Sequence, residues 1–383
     1  MTLTIGSLFS GYAGLDMAVA AATGAETKWF FEYDDGPAAI LQHHFPDVPN
    51  YRDVTTADWG TVPPVDIICG GSPCQDLSTA GKRAGMAEGT RSNLWVAMRE
   101  AIATIRPRLV VWENVQGALS AKAVSESDME PGSGPLGEGV GRGGYLRALG
   151  RVLGDLADIG YDAQWTTVRA SDVGAPHHRA RVFLVAYPAD TAGIGLQAGR
   201  AGGQVQSPFP GVDGGEAPLP GADVAHLPTP RTSDHRGAVK HGEGGMDLRT
   251  AVSYLPTPNA SDSTGGGVSM STRKGHSSQL IDAVIDMPRE PAPETSPYGK
   301  YAAAVHRWER ATGMPAPAPT ELNRNGRPRL TVQFAEWMMG LPAGWVSGVP
   351  GLSRANQLKA VGNGVCPQQA TAALNHLLGD TAP

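Results

Sequence analysis

The chain has 383 residues, 41% of them hydrophobic, enough for more than one buried core, and a formal net charge of −6 that neither requires nor excludes nucleic acid as a partner. Its three cysteines, Cys69, Cys74 and Cys366, are odd in number and far apart, which excludes a disulfide framework and a cysteine-rich metal site. No run is long enough to cross a membrane, and no basic segment leads into an apolar core at the start. A reducing, cytoplasmic setting with no membrane contact and no bound metal is therefore expected.

In chain order, residues 4–187 alternate between strand and helix patterns. Strands are predicted at Thr4–Phe9, Thr27–Glu32, Val65–Cys69, Leu109–Glu113, Asp162–Val168 and Arg181–Ala186. Helices are predicted at Leu15–Ala22, Pro37–His44, Leu94–Ile105 and Leu146–Ile159. Such alternation predicts a parallel sheet covered by helices. Residues 121–144, rich in Gly, Pro, Ser and acids, read as a flexible surface insertion. Residues 189–226 are Gly/Pro-rich without periodicity. Beyond them Leu227–Asp234 and Leu255–Asp262 repeat one pattern, Leu-Pro-Thr-Pro followed by Ser-Asp, and two copies make a duplicated turn element rather than a solenoid. Residues 227–330 hold 13 Lys and Arg against 10 Asp and Glu, only a modest basic excess. Helices resume at Val332–Met339 and Pro367–Leu378.

Chemistry concentrates at strand ends. The run Val65-Asp66-Ile67-Ile68-Cys69 exits through Gly70-Gly71-Ser72 to Pro73-Cys74-Gln75. In an open α/β sheet, ligands bind beyond the carboxyl ends of the strands, so Cys74 is placed as a nucleophile, whereas Cys69 inside the strand reads as buried and inert. Phe9-Ser10-Gly11-Tyr12-Ala13-Gly14 links the first strand to the first helix; its spacing fits a ligand-cradling loop and a ligand-free turn equally. Glu32, ending the second strand, favours the cradle, because a carboxylate there can accept from two ribose hydroxyls; Asp16 and Asp34 rank below it. Glu113 ends the next strand and faces the same cleft. Arg179 and Arg181, two apart at the start of a strand, are expected to point differently, one to the substrate and one to the surrounding loops or a phosphate.

The ordered set resembles the cytosine-C5 DNA methyltransferases of the prokaryotic and phage type. It comprises Leu8-Phe9-Ser10-Gly11-Tyr12-Ala13-Gly14-Leu15, Glu32-Tyr33-Asp34, Pro73-Cys74-Gln75, Glu113-Asn114-Val115 and Arg179-Ala180-Arg181. Arg329-Leu330-Thr331 through Gly340-Leu341-Pro342 and Gly362-Asn363-Gly364-Val365 complete it. The resemblance covers roughly residues 4–187 and 328–378. It implies an α/β, Rossmann-like S-adenosylmethionine-dependent methyltransferase sheet with a smaller, irregular target-recognition domain. The catalytic domain would be 1–189 with 328–383, its last helix packing back beside the first strand, and the recognition domain 190–327.

The resemblance further implies that Cys74 attacks C6 of a flipped cytosine in a specific sequence of double-stranded DNA and that C5 is methylated. Glu113, kept protonated by burial, would bond N3 and accept from the N4 amine; Arg181 would contact the base, with Arg179 beside it. Asn114 would hold the loop through its backbone. The family motif has glutamine where His177 stands. For S-adenosylmethionine, Phe9 would pack near adenine and Tyr33 stack on it. Asp53 would accept from the adenine amine and Glu32 from the ribose. Gly11, Gly14, Pro73, Asn363 and Val365 would complete the pocket. Gln75, Ser78, Lys82, Arg83 and Arg91 would meet DNA from a lid at 76–93, and His235, Arg231, Arg236, Asn259, Arg273 and Lys274 are candidate base readers. A monomer, with a cognate restriction endonuclease as candidate partner in a bacterial or phage-infected cell, is expected. The alternatives are an RNA cytosine-C5 methyltransferase and a catalytically silent DNA-binding protein. A nicotinamide oxidoreductase is disfavoured, because the loop lacks the pyrophosphate fingerprint.

Overall fold

The computed structural model describes residues 2–72, 94–119, 122–123, 146–191, 298–322, 324–325 and 328–379. Its contacts group into two compact units: Met1–Arg169, Ala180–Gly214 and Val365–Pro383 form the first, Ala170–Arg179 and Gly215–Gly364 the second. This grouping reflects packing and cuts the chain differently from the expected functional division into 1–189 with 328–383 and 190–327.

The first unit is built on β1 (Thr4–Leu8), β2 (Glu26–Phe31), β3 (Ile67–Gly70), β4 (Leu109–Val115), β7 (Tyr161–Arg169) and β8 (Ala180–Pro188). Helices α1 (Gly14–Thr23), α2 (Asp35–His44), α3 (Leu94–Ile105) and α4 (Ala148–Asp158) alternate with these strands. A two-residue ladder joins β5 (Lys122–Ala123) to β6 (Leu146–Arg147). The expectation of one helix over 146–159 is corrected by two residues, and part of the expected insertion is paired strand. Otherwise the elements expected over 4–187 are present, with ends moved by up to two residues.

The six-stranded sheet runs β2-β1-β3-β4-β8-β7. β1, β2, β3 and β4 are parallel neighbours, but β8 is antiparallel to both β4 and β7, which corrects the expectation of an all-parallel sheet. The reason is the length of the β7–β8 connection: residues 170–179 are too few for the crossover that a parallel return needs. Alternation then sends each strand's side chains to two separate cores. Ile68, Val110, Trp112, Val182 and Leu184 pack under α3 and α4. Ile5, Ile67, Cys69, Leu109, Val111, Phe183 and Val185 pack under α1 and the last helix, α8 (Pro367–Gly379). The chain's last helix packs on α1, β7 and β8 rather than directly beside the first strand, with Ile5 of β1 in the same core.

In the second unit, α5 (Ala302–Thr312), the hairpin of β9 (Thr320–Leu322) with β10 (Pro328–Leu330), α6 (Val332–Met338) and α7 (Arg354–Asn363) are described. α5 and α7 are helices that the sequence reading missed; each buries a short helical stripe, Ala304, Val305 and Trp308 in one and Gln357, Leu358 and Val361 in the other. Thr331 caps α6 through its hydroxyl, which accepts from Phe334 N–H at 3.2 Å. Buried Glu336 collects the N–H groups of Gly344, Val346 and Ser347 and so fixes the loop after α6. Among the described residues no helix is long and apolar enough to cross a membrane.

Candidate active site

The β1–α1 loop has three left-handed residues at every second position, Phe9 (φ 56°), Gly11 (φ 57°) and Ala13 (φ 69°). Two of them carry a Cβ, and such conformations persist only where surroundings enforce them. Gly11 is required for its backbone conformation rather than for space, since a Cβ there would meet no atom within 4 Å. Gly14 is required for space: its Cβ would lie 2.3 Å from the Val365 carbonyl oxygen. That same carbonyl accepts the Tyr12 hydroxyl at 2.7 Å, so Tyr12, assigned no role from sequence, ties the loop to the start of the last helical segment.

Glu32 is 8% exposed at the end of β2. Its Oε2 accepts from Gly11 N–H and its Oε1 from Asp34 N–H, both at 2.8 Å. Burial raises its pKa above the usual carboxylate value, and these two hydrogen bonds partly oppose the shift. With one N–H on each oxygen, each still has a lone pair for a further donor. Asp34 instead caps α2 by accepting from Gly36 N–H, and Asp16 lies buried beneath the loop. Tyr33 is 72% exposed beside Glu32. Asn50 was not foreseen: its Oδ1 accepts from Glu32 and Arg52 N–H, and its Nδ2 donates to the Glu32 carbonyl. It thereby pins the segment leading to Asp53 against the end of β2. Arg52 donates to the Tyr33 carbonyl and pairs with Asp35. Asp53 caps the turn Val54–Thr56, accepting the Thr55 N–H and hydroxyl, which hold its pKa below the ordinary value.

At the carboxyl end of β4 the pleat divides the labour. Glu113 and Arg181 lie on one face of two antiparallel neighbours, diagonal across the register Glu113↔Phe183 and Val115↔Arg181. Arg181 Nε meets Glu113 Oε1 at 2.9 Å, and Nη1 donates to the Ala180 carbonyl. Glu113 is buried, as expected, at 8% exposure, and the Arg181 guanidinium is its direct neighbour. Trp112 and Asn114 point to the opposite face, where both meet Ser72. Trp112 Nε1 donates to Ser72 Oγ at 3.2 Å and Asn114 Nδ2 to the Ser72 carbonyl at 3.3 Å, so Asn114 holds loop backbone as expected. Ser72 is the last described residue before Pro73 and Cys74. Cys69, fully buried, has its thiol pushed well up by burial and by the nearby Asp16, and is inert as expected.

Residues two apart on a regular strand would share a face, so the reason given for the divergence of Arg179 and Arg181 is corrected. Arg179 precedes β8, at φ 32°. Its guanidinium donates to the carbonyls of Gly362 and Gly364, on either side of exposed Asn363. That is the loop-holding alternative of the two roles expected for the pair. His177, fully buried, places Nε2 2.9 Å from the Met338 carbonyl oxygen.

Pro73, Cys74, Gln75, Ser78, Lys82, Arg83 and Arg91 lie outside the described residues, as do the Leu-Pro-Thr-Pro repeats and the six candidate base readers.

Residues 3–378 match the family of C-5 cytosine-specific DNA methylases. The chain belongs to that family. Among curated proteins, this family member is similar to the type II methyltransferase M.NlaIV of Neisseria lactamica, 31% identical over 182 residues that cover 46% of this chain and 39% of that one. It is also similar to the type II methyltransferase M.HhaI of Haemophilus parahaemolyticus, 26% identical over 183 residues, 48% of each. The chain spans about two-fifths of the length of the first curated relatives it matches. Among solved structures, DNMT2 of Spodoptera frugiperda aligns with a TM-score of 0.50 at 13% identity over 99% of this chain and 100% of that one. The last likeness bears on the fold, an α/β methyltransferase with a mostly parallel sheet.

Proposed function

We propose that this family member methylates C5 of cytosine in double-stranded DNA, with S-adenosylmethionine as methyl donor. The observation that carries the reading is the Glu113–Arg181 pair at 2.9 Å: Glu113 is on β4, next to β3, whose exit loop leads through Ser72 into Pro73-Cys74, and Arg181 is on β8 on the other side of β4. A carboxyl and a guanidinium on one sheet face match the N3–N4 edge and the O2 of a cytosine that has left the duplex. Cys74, as thiolate, adds to C6 and makes C5 nucleophilic. Glu113, carrying a proton, donates it to N3 through one carboxyl oxygen and accepts from N4 with the other as density moves onto the ring. The outer Nη2 of Arg181 donates to O2, while its Nε stays on Glu113. After methyl transfer the C5 proton is lost and the thiolate departs, restoring the aromatic ring.

The residues fit the donor. Buried Glu32, with each oxygen holding one N–H and room for another donor, suits a ribose diol, and the strained Phe9–Ala13 loop beside it suits close approach of a nucleoside. S-adenosylmethionine, when bound, supplies an electrophilic methyl group. Phe9, Tyr33 and Asp53 would hold its adenine; Gly11, Gly14, Pro73, Asn363 and Val365 would line the rest. Residues 190–327 would read the DNA sequence, and Gln75, Ser78, Lys82, Arg83 and Arg91 would meet the DNA near the flipped base. Arg179 would serve the substrate indirectly, by fixing the backbone around Asn363.

The test is transfer of labelled methyl groups to unmethylated duplex DNA, with base-resolution mapping of 5-methylcytosine. Label at C5 in one short sequence context, abolished by Cys74→Ala while DNA binding is kept, is expected. Label on RNA alone, or turnover unchanged by Cys74→Ala, would refute the reading.

A further inference from the structure

Beneath the Phe9–Ala13 loop lies a buried polar chain that the proposed chemistry does not use. Asp16 is the third residue of α1 and is 2% exposed. Its Oδ2 accepts from Ser7 Oγ on β1 at 2.9 Å, and its Oδ1 from Thr27 Oγ1 on β2 at 3.3 Å. Ser7 Oγ is in turn 2.8 Å from Ser10 Oγ, and Ser10 Oγ is 3.3 Å from the Ser7 carbonyl oxygen. Ser10 belongs to the loop: its carbonyl accepts Ala13 N–H, and its neighbour Gly11 donates to Glu32.

Proton counting gives this chain a direction. Each hydroxyl has one proton to donate. When Asp16 is ionised, Ser7 must donate to Asp16, so Ser10 donates to Ser7 Oγ. When Asp16 is protonated it can donate to Ser7; Ser7 then donates to Ser10, and Ser10 turns to the Ser7 carbonyl. Both acceptors of Ser10 are within reach, so the charge state of one buried group selects which bond the loop makes. Cys69 is a further hydrogen-bond partner of Ser7 and faces Asp16 from β3. Ser7, Ser10 and Thr27 are hydroxyls, and Cys69 on β3, which feels the Asp16 charge, has a thiol pushed up by burial and stays neutral.

We infer that Asp16 is a positioning residue for S-adenosylmethionine: by orienting the Ser7–Ser10 hydroxyls it holds the loop in the arrangement that presents Gly11 and Glu32 to the ligand. The inference rests on the proposed donor. Burial raises the pKa of Asp16 to about 6, against the opposing bonds from Ser7, its own N–H and Thr27, so the reversal falls within reach of ordinary buffers. Ionised Asp16 is the competent state, and affinity falls as pH drops through about 6. Glu32, at the end of β2 and bonded to the same loop through Gly11 N–H, also has its pKa raised by burial and adds its own share.

The experiment is equilibrium binding of S-adenosylmethionine to the full chain from pH about 5 to about 8, for wild type, Asp16→Asn and Ser10→Ala. Wild type is expected to weaken about tenfold toward the acid end. Asparagine donates to Ser7 as protonated Asp16 would, so Asp16→Asn is expected to bind weakly even at pH about 7.5, with a smaller pH step. Ser10→Ala removes the end of the chain and should also shrink the step, which keeps the test open if Asp16→Asn does not fold. A step of wild-type size in the folded variants overturns the role of Asp16. Absence of binding by wild type at every pH overturns the donor assignment instead, and the inference with it.

Discussion

Asp16→Asn should change stability by an amount that depends on pH. In the folded protein burial lifts the Asp16 pKa from 3.8 to about 6, so the native state holds the proton more tightly than the unfolded chain does. Between pH about 4 and about 6 wild type therefore loses stability as pH rises, and above about 6 the full cost is present. A shift of about two units corresponds to about 3 kcal/mol. Asparagine cannot ionise and escapes that cost, and its N–H donor towards Ser7 and acceptor oxygen towards Thr27 match those of protonated Asp16. The variant should thus match wild type closely near pH 4 and be about 3 kcal/mol more stable near pH 7.5. Urea unfolding followed by tryptophan fluorescence across this range would show the two midpoint curves together near pH 4 and separating as pH rises. A constant offset between them at every pH would show that Asp16 carries no elevated pKa, and the reasoning would fail. A variant that gains stability while losing donor affinity would mark Asp16 as a residue kept for function rather than for folding.

Glu32→Gln must turn an N–H toward Gly11 or Asp34, whose own N–H groups need an acceptor; S-adenosylmethionine affinity should drop about 10- to 100-fold by calorimetry. Gly71→Ala places a Cβ 2.9 Å from Glu113 Oε2 and 3.3 Å from the Glu113 carbonyl oxygen, so it should push the carboxylate off Arg181. Its kcat should fall at least about tenfold while donor affinity holds, as single-turnover assays would show. Trp112→Phe leaves Ser72 Oγ with one donor fewer in a buried site and should cost about 1 kcal/mol in urea unfolding, with a larger proportional loss of kcat than of binding.

The sequence by itself determined the alternation of strands and helices over 4–187, because each buried strand is a short apolar run bounded by Gly or polar turns and each helix has a periodic stripe. It also determined which residue types stand at the strand ends, Glu32 after β2 and Glu113 in β4, since position within an element is local information. Antiparallel β8 was not legible, because strand direction depends on the connection that brings the chain back rather than on the strand's own residues. The helices α5 and α7 were missed for a related reason: their buried stripes are short and mean something only against a partner surface. At the site, the pairing of Glu113 with Arg181 depends on a register between strands separated by more than sixty residues, and no local pattern encodes register. The same holds for Asn50 clamping the end of β2, and for Ser72 held by Trp112 and Asn114. The chain Thr27–Asp16–Ser7–Ser10 joins a helix, two strands and a loop. Its residues read singly as unremarkable polar positions, and only burial together makes the protonation of one decide the hydrogen bond of another.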